Sequence, residues 1–125
     1  MTFTDLTSRI PAKGLVASGR CKERGMNKTE AAYAARLELL RRDGEIIWWS
    51  YEAIKLRLAD NTYYTPDFDV MRADGLLEIH EVKGHWEDDA RVKIKVAAEQ
   101  FPFRFLAVQA VPKSKGGGWS VETFE

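Results

Sequence analysis

Cysteine is almost missing from this chain. Cys21 stands alone among 125 residues, so no internal disulfide can form and stability must come from a packed core. A lone thiol fits a reducing cytoplasm. Long apolar runs are missing as well: nothing approaches the roughly twenty residues that cross a bilayer. The opening MTFTDLTSRIPAKG lacks the apolar stretch of a secretory signal, so no membrane partner is expected. Net charge is also absent, 19 Lys and Arg balancing 19 Asp and Glu. That balance counts against a nucleic-acid coat protein, whose affinity rests on neutralising phosphates. Beyond Gly116-Gly117-Gly118 there is neither a repeat nor a low-complexity tract.

What is present describes one soluble domain. Apolar residues make up 45% of the chain and charged residues 30%, ordinary values for a globular protein of this length. The charge is unevenly spread. Residues 1–28 carry Arg9, Lys13, Arg20, Lys22, Arg24 and Lys28 against Asp5 and Glu23. With Pro11, Gly14, Gly19 and Gly25 and little periodicity, residues 1–26 read as a basic irregular arm, ordered against a partner or nucleic acid. Residues 27–125 read as the folded domain.

Helical spacing begins at Asn27, a good N-cap, and puts Tyr33, Ala34, Leu37 and Leu40 on one face until Asp43-Gly44 stops the helix. Residues 46–70 read as extended structure. IIWWSYEAIKLRL forms one strand with Trp48 and Trp49 in the core, and YYTPDFDVM returns as a second after a turn at Asp60-Asn61. A turn at Ala73-Asp74-Gly75 leads into LLEIHEVK. Glu87 to Phe101 is a second helix with Ala90, Ile94, Ala97 and Phe101 inward and Pro102 closing it. FRFLAVQAV is a further strand, and KSKGGG is a flexible link to WSVETF, an edge strand. The expected order is helix, three antiparallel strands, helix, strand.

The chemistry concentrates in TPDFDV and LLEIHEVKG. Side chains alternate along a strand, so Glu81 and Lys83 share a face. If Ala73-Asp74-Gly75 is a three-residue hairpin loop with Gly75 left-handed, paired residue numbers sum to 148 and Asp67 lies opposite Glu81. Two carboxylates roughly 5 Å apart at Cβ beside a lysine form a costly arrangement unless a cation sits between them. All-oxygen ligands suit Mg²⁺, with Mn²⁺ as a substitute, rather than zinc. Such an ion serves phosphodiester hydrolysis, with Lys83 holding the attacking water and stabilising the transition state.

Pro66-Asp67, then Glu81-x-Lys83 across a hairpin, behind a helix carrying a glutamate, resembles the PD-(D/E)xK nuclease superfamily. The similarity covers roughly residues 27–110. Within the superfamily the chain is most similar to small phage proteins of the endonuclease I and Holliday-junction resolvase type, on NKTEAAYAARLELL, YTPDF and EVKG. The resemblance implies an α/β fold with a restriction-endonuclease-like αβββαβ core, a mixed central sheet flanked by helices. It also implies metal binding by Asp67, Glu81, the Val82 carbonyl and Glu30, with Lys83 assisting the nucleophile. The implied partner is DNA, branched or otherwise structured, cut by a homodimer in the cytoplasm of a bacterial or phage-infected cell. Two other readings keep the fold: a catalytically silent nucleic-acid-binding or assembly protein, and a nuclease subunit active only within a larger, transposase-like complex.

Several residues admit a plainer reading. Glu30, three after Asn27, suits a capping box as well as a metal site. Asp69 shares a face with Asp67, either backing the site or facing solvent. His80 points to the opposite face and reads as a packing histidine. His85 and Trp86 either touch substrate or cap the second helix. Arg91, Lys93 and Lys95 join Arg20, Lys22, Arg24 and Lys28 as candidate nucleic-acid contacts, although a basic helix face is usually a solvated one. Gln100 is a weaker candidate, and Tyr63 and Tyr64 are assigned to packing.

Overall fold

A computed structural model describes residues 25–83 and 88–124. Helix α1 spans Lys28–Arg42. Its start is a full capping box: the Asn27 side chain accepts from Glu30 N at 2.8 Å, and Glu30 Oε1 accepts from Asn27 N at 3.0 Å. It ends at Asp43, after which Gly44 takes a φ of +82°. Tyr33, Ala34 and Leu37 form its buried face, the helical stripe expected from their spacing.

Strand β1 runs Ile46–Tyr51 and then stops. Glu52 adopts a φ of +50° and its N–H bonds to Asp67 O at 2.9 Å. The chain next makes a separate two-stranded ribbon, β2 (Leu56–Ala59) and β3 (Thr62–Tyr64), before β4 (Phe68–Arg72) re-enters the main sheet beside β1. This corrects the single extended run expected from residue 46 onward. The Asp60-Asn61 turn closes the ribbon instead of joining two strands of the sheet. The alternation of Leu56, Arg57 and Leu58 is real, but a period of two cannot say which sheet a strand joins.

β5 (Leu77–Val82), helix α2 (Asp88–Gln100) and β6 (Arg104–Ala110) follow, then β7 (Trp119–Phe124). The sheet order is β1-β4-β5-β6-β7, with β5 and β6 parallel and the other neighbours antiparallel. The expected flexible link at KSKGGG contains a 3-10 turn at Lys113–Lys115, and Val111 N bonds to Gly118 O at 2.9 Å, so β6 and β7 form a closed hairpin. The result is a mixed sheet between two helices. On one face, α1 packs Tyr33, Ala34 and Leu37 against Phe68, Val70, Val82 and Val108. On the other, Ile94 and Ala97 of α2 meet Ile79, Phe105 and Ala107, with Leu56, Leu58 and Tyr64 of the ribbon completing the cluster. Trp49 is buried and Trp48 only half-buried. No helix among the described residues is long and apolar enough to cross a membrane.

Candidate active site

The hairpin between β4 and β5 sets the geometry. Gly75 takes a φ of +91°, its N–H bonds to Arg72 O at 2.9 Å, and Arg72 N bonds to Leu76 O at 2.9 Å. This three-residue loop fixes the pairs Phe68–His80, Asp69–Ile79, Val70–Glu78 and Met71–Leu77. One step outward the ladder brings Asp67 to Glu81. Asp67 N donates to Glu81 Oε1 at 3.1 Å, and Val82 N donates to Asp67 Oδ2 at 2.9 Å. Both side chains are buried. Lys83 Nζ lies 2.9 Å from Glu81 Oε2. Asp67, Glu81 and Lys83 thus meet at one end of the sheet, in the register the loop predicts.

Tyr64 is the member that sequence reasoning placed in packing alone. It is buried, and its hydroxyl also donates to Glu81 Oε1 at 2.9 Å. The signal was its position at the end of a strand, three residues before Asp67, with a polar tip that burial obliges to find a partner. Tyr63 departs from the packing expectation in the other direction, being 42% exposed.

The electrostatics follow from burial and crowding. Burial first, then the charge of Glu81, pushes Asp67 well above the ordinary carboxylate range. Glu30 adds to this, while the Val82 N–H and Lys83 oppose it. For Lys83, burial alone would lower the ammonium pKa. Its bond to Glu81 and the charges of Glu81, Asp67 and Glu30 outweigh that, holding it above its usual value. Burial, then Glu81, keeps the Tyr64 phenol protonated as a donor.

Glu30 is both a helix cap and a neighbour of the site. It is buried, accepts from Tyr51 OH at 3.4 Å as well as from Asn27, and its charge bears on Asp67 and Lys83. Asp69 is fully buried, which removes the solvent-facing alternative. Its Oδ2 accepts from Ala53 N at 3.2 Å, Oδ1 has no partner among the described residues, and burial pushes its carboxyl up to about 7.

The remaining candidates lie apart from this cluster. His80 packs on the opposite face, with Nδ1 2.6 Å from Tyr33 OH and Nε2 2.9 Å from Glu78 Oε1. Arg91 pairs with Glu122 at 2.6 Å, Lys93 Nζ lies 3.4 Å from Tyr63 O, and Gln100 Nε2 bonds to Leu58 O at 3.0 Å. Lys93 and Gln100 therefore tie α2 to the ribbon, and Lys28 and Lys95 are exposed. Arg20, Lys22, Arg24, His85 and Trp86 lie outside the described residues.

Among the described residues no three His, Cys, Asp or Glu side chains are grouped as a ready metal cage. Mg²⁺ asks for less, typically one or two carboxylates with water in the other positions. Two buried carboxylates side by side, with the charge of Glu81 raising the cost of ionising Asp67, fit a hard divalent cation by their donor chemistry. No protein family, curated protein or solved structure matches the chain.

Proposed function

We propose that the chain is a metal-dependent endonuclease of the PD-(D/E)xK kind, hydrolysing DNA phosphodiester bonds and preferring branched or structured DNA. The observation that carries this reading is the buried Asp67–Glu81 pair on adjacent strands with the Lys83 ammonium 2.9 Å from Glu81. The element order supports it. A helix, the antiparallel strands β1, β4 and β5, a crossover helix and the parallel strand β6 agree with an αβββαβ core. On that reading the β2–β3 ribbon is an insertion and β7 an addition.

Asp67, Glu81 and the Val82 carbonyl would hold Mg²⁺ or Mn²⁺, with Glu30 contributing negative charge from α1. Bound there, the ion supplies positive charge against the phosphate and makes water more acidic. Lys83 stays an ammonium at neutral pH, so its task is to donate hydrogen bonds and offset developing negative charge, not to remove a proton. Tyr64 holds Glu81 in place through Oε1 and leaves Oε2 to Lys83.

Cleavage of a supercoiled plasmid and a four-way junction in Mg²⁺ or Mn²⁺ tests the assignment. Wild type should cut. Asp67→Ala and Lys83→Ala should lose about a hundredfold or more, and Tyr64→Phe about tenfold, the weight of a hydrogen bond to a charged group. Equal cutting by all four proteins would mean that the site lies elsewhere. A wild type that cuts no DNA would remove the enzymatic reading.

A further inference from the structure

The β2–β3 ribbon has two unlike faces. Inward, Leu56, Leu58 and Tyr64 are buried. Outward, Arg57 stands directly across from Tyr63 in the register, and Lys55 Nζ lies 4.5 Å from the centroid of the Tyr63 ring. Lys93 of α2 reaches the Tyr63 carbonyl at 3.4 Å, adding a third cation. Tyr63 is 42% exposed on the solvent side of the ribbon and belongs to neither apolar cluster. Side chains alternate along a strand, so Tyr64 reaches Glu81 from the inner face while Tyr63 is turned to the outer one.

Resting on the nuclease reading, we propose that this outer face selects the substrate: Tyr63 stacks on an unpaired base of a substrate arm, while Lys55, Arg57 and Lys93 hold the phosphates of that arm. Every base offers a π-face, so stacking tolerates any sequence but requires a base out of its duplex stack. An intact duplex hides those faces. The arrangement therefore favours forks, junction arms and gaps over continuous duplex. Charge complementarity points the same way. Asp60 pairs with Arg57, but both side chains are largely exposed, at 90% and 62%. Such a pair contributes little and can yield to a phosphate.

Fluorescence anisotropy in the presence of a chelator reads binding without cleavage. The probes are a forked duplex with unpaired arms and a blunt duplex of the same paired sequence. Wild type should bind the fork more tightly. Tyr63→Ala should weaken fork binding about tenfold and blunt binding little, while Tyr63→Phe keeps the preference. Lys55→Gln with Lys93→Gln should weaken both probes and reduce the salt dependence by about 0.7 per lost contact on single strands. Equal affinity of wild type for the two probes, or fork binding untouched by Tyr63→Ala, overturns the proposal. Fork binding that depends on Tyr63, without cutting when Mg²⁺ is added, would leave this surface standing and remove only the cleavage reading. Cutting that ignores every ribbon substitution would do the reverse.

Discussion

Asp69 lies two residues from Asp67, fully buried, with one oxygen held by the Ala53 N–H and the other without a partner among the described residues. Burial raises its carboxyl to about 7, so between its ordinary value and about 7 the folded state holds a proton that the unfolded state has released. Stability from this residue is therefore present at low pH and falls as pH rises through that window. Asp69→Asn cannot titrate, so its stability should change less than that of wild type between pH 4 and 8. Accumulated over that range, the difference should amount to roughly 2–4 kcal/mol at most, read by urea unfolding across the pH series. Parallel curves would mean that Asp69 ionises freely in the fold. The chain sequence announced Asp67, Glu81 and Lys83 because strand alternation and loop length are local rules. It left Asp69 undecided and put Tyr64 in the core, because their partners, Ala53 for Asp69 and Glu81 for Tyr64, are set by where the ribbon folds against the sheet. No local rule places that ribbon.

At the scale of elements, the hairpin loop is the part that local chemistry specified most completely, since Gly75 takes the left-handed conformation that a three-residue loop demands. A Cβ at Gly75 would meet nothing within 4 Å, so Gly75→Ala costs backbone strain alone, about 1 kcal/mol. Cleavage should be kept once the protein is folded. Inserting one residue between Asp74 and Gly75 is a different matter. It invites a slip in which β5 turns Glu81 and Lys83 to the face now held by His80 and Val82. That variant should lose cleavage far out of proportion to its loss in urea-unfolding stability. If it cuts as well as Gly75→Ala does, the register is not what assembles the site. The break after β1 was less legible. IIWWSYEAIKLRL alternates well enough to pass for one strand, and only Glu52, in a conformation a glutamate rarely adopts, turns the chain out of the sheet. Helix limits were easier to read because the Asn27 cap and Gly44 mark both ends of α1.

Across the whole molecule, the zero net charge in the sequence conceals a concentration of carboxyl groups at one end of the sheet, near the start of α1. Glu81 and Glu30 both act on Asp67 there, and all three act on the ammonium of Lys83. The two cores on either side of the sheet stabilise the fold, and part of that stability is offset by holding Asp67 and Glu81 together. Composition could not reveal this, since it sums charges without locating them. The consequence is measurable as a trade between stability and ion binding. In chelator, Asp67→Asn should be more stable than wild type, because the amide oxygen still accepts from Val82 N while the repulsion with Glu81 is gone. Added Mg²⁺ should reverse the order. A ligand that binds only the folded state stabilises by RT ln(1 + [L]/Kd), about 2.7 kcal/mol at a hundred times Kd, and the variant has lost one of the two carboxylates that earn it. Thermal unfolding in chelator and in Mg²⁺, for both proteins, reads all four values. An Asp67→Asn protein that is less stable without metal, yet rises with Mg²⁺ as far as wild type does, would show that neither the repulsion nor the cation belongs to this pair.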